Sequence, residues 1–116
     1  MKRVYVAGPY SADNVLGVLK NIGRGEKACA RLFSLGFAPF CPWHDKSYVM
    51  DNVSFNFNVE MFQEASMAWL EVSEAVFLVK GWEKSKGTLL EIERAKSIGL
   101  PVFTSIKDLI IWRGNE

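Results

Sequence analysis

The chain has 116 residues, of which 49% are hydrophobic, and its 14 basic and 13 acidic side chains leave a net charge of +1. Length and composition predict one globular domain over residues 1–116, and the balanced charge argues against a nucleic-acid polymer or an anionic membrane as partner. No apolar run approaches the roughly 20 residues that cross a bilayer, so we expect a protein of the cytoplasm.

The first predicted element is a strand at residues 3–7, RVYVA. Its side chains are mostly β-branched or aromatic, and Gly8 and Pro9 follow it, which favours a buried strand that ends in a turn. Alternation along the strand places Tyr5 on the face opposite the two valines. The Tyr5 hydroxyl is then predicted to hold a carboxylate of a neighbouring helix, although a core tyrosine with a satisfied hydroxyl explains the position equally well.

Between residues 14 and 54 the pattern changes twice. Apolar residues recur at spacings of three and four from about residue 14 to residue 35, which predicts a helix. Two glycines in its middle favour a well-formed part that begins near Lys20. The stretch FAPFCP is predicted to form a short second strand near a sheet edge because it contains two prolines. Residues 43–54 lack a clear period, which is typical of a functional or mobile loop.

The sequence contains few potential metal ligands and no recognised cofactor-binding motif. Cys29 and Cys41 are too few for a disulfide framework, and we predict two reduced, partly buried thiols. His44 is the only histidine, so a metal site would lack obvious further ligands, and we predict none. The glycine patterns of a P-loop and of a dinucleotide-binding turn are also missing, so no cofactor is expected.

Helices and strands alternate in the second half. A helix is predicted over residues 55–72, followed by the buried strand AVFLV, the turn GWEKSKGT, a helix over about residues 88–98, the strand PVF and a short terminal helix. This alternation predicts an α/β three-layer sandwich, Rossmann-like or flavodoxin-like, with a mostly parallel sheet of four to five strands. In such sheets ligands bind beyond the carboxyl ends of the strands. Three loops that meet there place five residues near one crevice: Tyr10, His44, Asp45, Ser85 and Glu91.

Two glutamates follow the turn SKGT, and a helical wheel separates them. Glu91 falls on the small, apolar stripe that should face the sheet, whereas Glu93 points to solvent. Burial would raise the pKa of Glu91, but the N–H groups and dipole of the first helical turn would oppose that rise. An ionised, poorly hydrated carboxylate beside a ligand crevice is suited to nucleophilic attack.

The same stretch also has a structural interpretation. The residues TLLE, from Thr88 to Glu91, match a capping box, in which the threonine caps the helix and the glutamate bonds back to its N–H. The sequence leaves the structural and the catalytic role open, and the two can coexist. The hydroxyls, Gly87 and the backbone N–H groups of SKGT further suit an anion such as phosphate.

Three stretches carry a family resemblance: VYVAGPYS, AWLEVSEAVFLV and GWEKSKGTLLEIERAKSIGLPVF. Together they resemble the nucleoside 2-deoxyribosyltransferase family, whose superfamily includes the 2′-deoxynucleoside 5′-phosphate N-hydrolases. The resemblance covers about residues 3–103 and is greatest to small members with a GWE-S-KG turn. It implies a flavodoxin-like sheet and a glutamate that attacks the anomeric carbon of deoxyribose. Another base or water then resolves the covalent sugar–enzyme intermediate.

Residue by residue, Glu91 matches the family nucleophile, Tyr5 the tyrosine that orients it, and Ser85 a serine that contacts phosphate. In the second loop, Trp43 is predicted to stack on a base and Asp45 to hydrogen-bond a base or sugar, although a surface loop with a partly buried tryptophan is the alternative. The predicted substrate site comprises Gly8, Pro9, Tyr10, Ser11, Trp43, Asp45, Ser66, Ser85 and Gly87.

One departure from the family pattern concerns the catalytic acid. Ser66 stands where these enzymes commonly carry an aspartate that is important for catalysis. A serine cannot supply a titrating acid, so another group would have to replace it: Asp45, Asp51, Glu64 or a residue of a partner subunit.

Two further departures concern the phosphate and the pocket. Ser11 replaces an arginine of the monophosphate-specific members, which leaves Lys84 or Lys86 to compensate. Leu89 replaces a usual glycine two residues before the nucleophile, which narrows the pocket.

Three functions remain open at this point. The first is an enzyme that breaks or exchanges the N-glycosidic bond of a 2′-deoxynucleoside or its 5′-monophosphate. The second is a non-catalytic nucleotide-binding module on the same fold, because Ser66 replaces the acid. The third is an assembly role, suggested by the apolar ending DLIIW. The resemblance also implies a homo-oligomer.

Overall fold

Four short parallel strands form the centre of the structure, a computed structural model that describes residues 1–50 and 54–114. The strands are β1 (Arg3–Ala7), β2 (Ala38–Phe40), β3 (Ala75–Leu78) and β4 (Val102–Phe103). Their order across the sheet is β2-β1-β3-β4, and each neighbouring pair is parallel. This is the order of flavodoxin-like sheets, so the predicted α/β class with a four-stranded parallel sheet is confirmed.

Helices cover both faces of the sheet, which makes three layers. Within the described residues the helices are α1 (Val15–Ser34), α2 (Lys46–Met50), α3 (Val59–Glu71), α4 (Lys86–Ser97) and α5 (Ile106–Arg113). Valines of β1 pack with α1 and α5 on one face, whereas Tyr5 and Ala7 pack with α3 and α4 on the other. The predicted alternation along β1 is therefore confirmed.

Helix α1 runs without a break through its glycines, so the expected late start near Lys20 is wrong. Asn14 begins the helix, because its side chain accepts a hydrogen bond from the N–H of Gly17. Gly25 is needed for packing, since a Cβ there would overlap the six-membered ring of Trp43. The cost of a glycine in a helix is thus offset by the close approach of a large aromatic ring.

The segments before and within α3 also differ from the sequence prediction. Residues 43–50, expected to be irregular, form the end of a short 3-10 turn (Pro42–Asp45) and then α2. Residues 51–53, which include Asp51, lie outside the described part of the chain. Helix α3 begins only at Val59, because the side chain of Asn58 caps it. Leu70 on its predicted inner stripe is fully buried, but Trp69 on the same stripe is exposed.

In the parts of the chain that the structure describes, no helix is both long enough and apolar enough to cross a membrane.

Candidate active site

A cavity of about 1400 Å³ opens where the loops after β1, β2 and β3 meet α3 and the start of α4. This is the position at which parallel α/β sheets bind ligands. The cavity brings together ten of the residues predicted from the sequence. They are Gly8, Pro9, Tyr10, Ser11, Trp43, Asp45, Ser66, Ser85, Gly87 and Glu91.

Tyr5 and Glu91 meet at one wall of this cavity. Tyr5 lies on β1 between Phe40 and Val76 of the neighbouring strands, and its ring is fully buried and stacked on that of Phe40. Its hydroxyl donates a hydrogen bond to Oε2 of Glu91, which lies 86 residues further along the chain. The contact predicted from the sequence is therefore present, and the cavity-lining carboxylate is held by a rigid strand.

Burial raises the pKa of the Glu91 carboxyl to about 7, and the hydrogen bond from Tyr5 opposes this rise. The pKa of the Tyr5 phenol is raised well above its usual range, first by burial and then by the charge of Glu91. Tyr5 therefore stays protonated and donates at any physiological pH. Glu91 changes its charge near neutrality, which is typical of a group that reacts.

The capping-box interpretation of Glu91 is wrong. Helix α4 begins three residues earlier than that interpretation requires, and Ser85 caps it by accepting a hydrogen bond from the N–H of Thr88 at 3.2 Å. The hydroxyl of Thr88 donates to Ser85 Oγ at 2.9 Å. Glu91 consequently lies beyond the first turn, where the helix dipole has largely faded. Tyr5, and not the helix end, is the group that opposes the effect of burial on Glu91.

Asp45 and Tyr10 form a second polar pair on the same cavity. Asp45 ends the 3-10 turn that follows β2, and Tyr10 lines the same cavity close enough to affect its pKa. Burial raises the pKa of Asp45, while Tyr10 and Lys46 oppose the rise. Burial and then the charge of Asp45 raise the pKa of Tyr10 to about 12. This wall therefore carries a partly desolvated acid beside a tyrosine.

Residues 2–104 of the chain match the family described as Domain of unknown function (DUF4406). The chain belongs to this family. The matched residues run from β1 to β4 and include all the residues of the cavity wall named above, whereas α5 lies beyond them. No curated protein matches the chain.

In this DUF4406 chain Trp43 does not present a free face for a base, so the predicted stacking role is wrong. Only 1% of its surface is exposed, because the ring packs against Gly25 on α1. Its Nε1 donates to the carbonyl oxygen of Pro9 at 3.1 Å. Trp43 instead supports the cavity wall from behind and connects the loops that follow β1 and β2.

His44 does not reach the main cavity of the DUF4406 domain, contrary to the expectation from its loop. Its side chain is exposed, and its Nε2 lies 3.4 Å from Oε2 of Glu26. It lines a second, apolar cavity of about 550 Å³ beside β2, together with Cys29 and Cys41. Both cysteines are free thiols and both are buried, more completely than we expected.

Two residues of α1 that the sequence analysis missed also line the cavity of the DUF4406 domain. Asn21 Nδ2 donates to the carbonyl oxygens of Tyr10 at 3.1 Å and Ser11 at 3.2 Å, which fixes the loop after β1. Arg24 adds a cation to the same wall. The apolar periodicity of α1 could not predict that either residue lines a cavity, because polar positions on a helix are by default exposed to solvent.

Three lysines also line the cavity of the DUF4406 domain. Lys84 and Lys86 flank Ser85 at the start of α4, and Lys46 pairs with Glu26 at 2.9 Å. Among residues 1–50 and 54–114, no group of three or more His, Cys, Asp or Glu side chains is arranged to hold a metal ion.

Proposed function

We propose that this protein cleaves or transfers at the N-glycosidic bond of a 2′-deoxynucleoside or its 5′-monophosphate, with Glu91 as the nucleophile. The observation that carries the proposal is the partly buried Glu91 carboxylate, held by Tyr5 on the wall of the largest cavity described. The sequence resemblance to the nucleoside 2-deoxyribosyltransferases supports the same pair of residues in the same roles.

The chemistry follows from the position of the carboxylate. One oxygen of Glu91 accepts the Tyr5 hydrogen bond, which orients the other oxygen for attack on the anomeric carbon. The C1′–N bond breaks as the O–C1′ bond forms, and its electron pair leaves with the base. Water or a second base then displaces the carboxylate and completes the cycle with retention of configuration. The cavity has ample volume for a nucleotide, which is of drug-like size.

The direct test is to incubate the protein with a panel of deoxynucleosides and their 5′-monophosphates and to separate any free base by chromatography. A 2′-fluorinated arabinonucleoside serves as a trap, because the fluorine destabilises the oxocarbenium-like transition states and slows the second step. We expect the intact mass to increase by one fluorosugar and peptide mapping to locate it on Glu91. A label on another residue would contradict the proposed nucleophile.

The alternative is a nucleotide-binding module without turnover. The observation that favours it is Ser66, whose side chain lies close enough to Tyr5 to lower the pKa of the phenol but cannot supply an acid. Saturable binding of unreacted nucleotide, with no base released over hours, would favour this alternative. If no member of the panel binds, both functions are excluded.

We expect Tyr5→Phe to move the acidic limb of the kcat/KM profile to higher pH. Without the hydroxyl, Glu91 loses the hydrogen bond that opposes the effect of burial, so its pKa rises above about 7. Activity at pH 7 should fall by about tenfold for each pKa unit of that shift. Loss of the buried hydrogen bond should also lower the free energy of unfolding by about 1–3 kcal/mol.

The measurement for Tyr5→Phe is a pH profile from 5 to 9, combined with thermal melting. Tyr48→Phe is the matched control, because Tyr48 is an exposed tyrosine on α2 and should change neither quantity. An acidic limb that stays at the same pH in Tyr5→Phe would show that this hydroxyl does not control the charge of Glu91.

We further propose that the protein is a homo-oligomer in the cytoplasm. Helix α3 and its C-cap residue carry large apolar side chains that are exposed in the single chain: Val59, Met61 and Trp69 on the helix and Val72 at the cap. Exposed apolar surface of this kind is typical of protein–protein contacts. Light scattering at micromolar concentration should give at least twice the mass of the chain, and a monomer would contradict the proposal.

A further inference from the structure

Cleavage of an N-glycosidic bond requires a second acidic group in addition to a nucleophile. A base leaves poorly as an anion, so glycosidases place a protonated carboxyl near the leaving group and a second carboxylate near the anomeric carbon. In the proposed reaction Glu91 is the carboxylate near the anomeric carbon. The protonated carboxyl near the leaving group must be a different residue, and Ser66 cannot supply it.

The cavity offers few candidates among the described residues. Besides Glu91, three carboxyl groups line it: Asp45, Glu64 and Glu71. Glu71 is exposed, and its Oε1 lies 2.8 Å from Nη2 of Arg94 on α4, so its charge is already paired. Glu64 is exposed on α3. A glycosidase acid is shielded from water, and neither of these exposed side chains is.

Asp45 differs from both of these groups. It is partly buried, at the end of the turn that follows β2, and it lines the same cavity as Glu91. Asp45 and Ser66 line both cavities, so the carboxyl and the serine that replaces the family acid face the same two spaces. Burial, the largest effect on Asp45, also favours its protonated form.

We infer that Asp45 is the proton donor to the departing base. This inference rests on the proposed function. As the C1′–N bond breaks, its electron pair moves to the base, and the proton of Asp45 passes to a base nitrogen. In the second step the Asp45 carboxylate takes a proton from the attacking water, so the acid is restored when the sugar leaves Glu91.

The test compares two leaving groups in the wild type and in Asp45→Asn. A purine deoxynucleoside needs a proton on its base, whereas 4-nitrophenyl 2-deoxyribofuranoside releases a stable anion that needs none. We expect Asp45→Asn to lower kcat on the nucleoside by about 10²–10³-fold and to leave kcat for nitrophenolate release within about threefold of the wild type. Asp108→Asn is the control, because Asp108 is exposed on α5, which packs on the opposite face of the sheet.

The outcomes separate this inference from the function on which it rests. If the wild type releases neither base nor nitrophenolate, the proposed function fails. Suppose that the wild type releases base and nitrophenolate. If Asp45→Asn then releases the two products at equally reduced rates, or releases both at the wild-type rate, the function stands and the role of Asp45 is overturned. Circular dichroism and thermal melting of each variant would separate a chemical loss from a folding defect. Recovery of nucleoside cleavage in Asp45→Glu would support the acid role further.

Discussion

Glu91→Gln is expected to abolish base release from deoxynucleosides and, at the same time, to stabilise the folded protein above pH 7. Glutamine has nearly the same shape as glutamate, and its amide oxygen still accepts the hydrogen bond from Tyr5. It cannot form the covalent bond to C1′, so kcat should fall by about 10⁴-fold or more. The stabilisation arises because the variant no longer places a negative charge in a poorly hydrated wall.

The pH dependence of this stabilisation has a definite sign. In the unfolded chain Glu91 releases its proton near pH 4.5, whereas in the folded protein it retains the proton up to about pH 7. The stability contributed by the protonated carboxyl is therefore complete below pH 4.5 and is lost as the pH rises to about 7. Above that pH, Glu91→Gln should exceed the wild type by roughly 1–3 kcal/mol in the free energy of unfolding.

Chemical denaturation of wild type and Glu91→Gln at pH 4, 6 and 8, together with base release at pH 8, measures both effects. Glu93→Gln is the matched control, because Glu93 lies two residues away on the exposed face of α4. It should leave activity unchanged and give a stability difference that varies little with pH. An active Glu91→Gln protein would exclude the proposed mechanism. A stability difference independent of pH would show that Glu91 is not desolvated.

Gly25→Ala is expected to lower the melting temperature sharply, by about 10 °C, and to disturb the loop after β1. The added Cβ would overlap the six-membered ring of Trp43, which is only 1% exposed. Overpacking of this kind costs about 1–3 kcal/mol and occasionally more. Because Trp43 also holds the carbonyl of Pro9, the shift should extend to the cavity wall.

Gly23→Ala provides the control for Gly25→Ala on the same helix. A Cβ at Gly23 would meet no atom within 4 Å, so alanine there should raise stability by about 0.5–1 kcal/mol through its better helix propensity. Thermal melting and tryptophan fluorescence of the two variants measure the difference. If both alanines act alike, the ring of Trp43 does not lie against α1 as described.

Much of the fold and part of the site could be predicted from local patterns. Apolar side chains repeat every two residues in strands and every 3.6 residues in helices, because one face of each element avoids water. These repeats predicted the bounds of β1, the buried β3 and the inward position of Glu91. The alternation of strands and helices then places the three loops at one edge of the sheet, because parallel strands share the direction of their carboxyl ends. The convergence of the predicted residues on one cavity is a consequence of this topology.

The sequence by itself thus determined the class of fold, the loops that meet and the residues that belong on each face. Only the tertiary structure decided contacts that no pattern predicted: Asn21 with the carbonyls of the loop after β1, and Trp43 against Gly25. Such contacts join residues on different elements of the chain, and their distances depend on how whole layers pack. The stacking tryptophan was wrong for that reason, because its ring packs against α1. The capping box was wrong for a local reason, since Ser85 caps α4 three residues before the position of that motif. Which of several adjacent polar residues caps a helix is decided when the helix packs against the sheet.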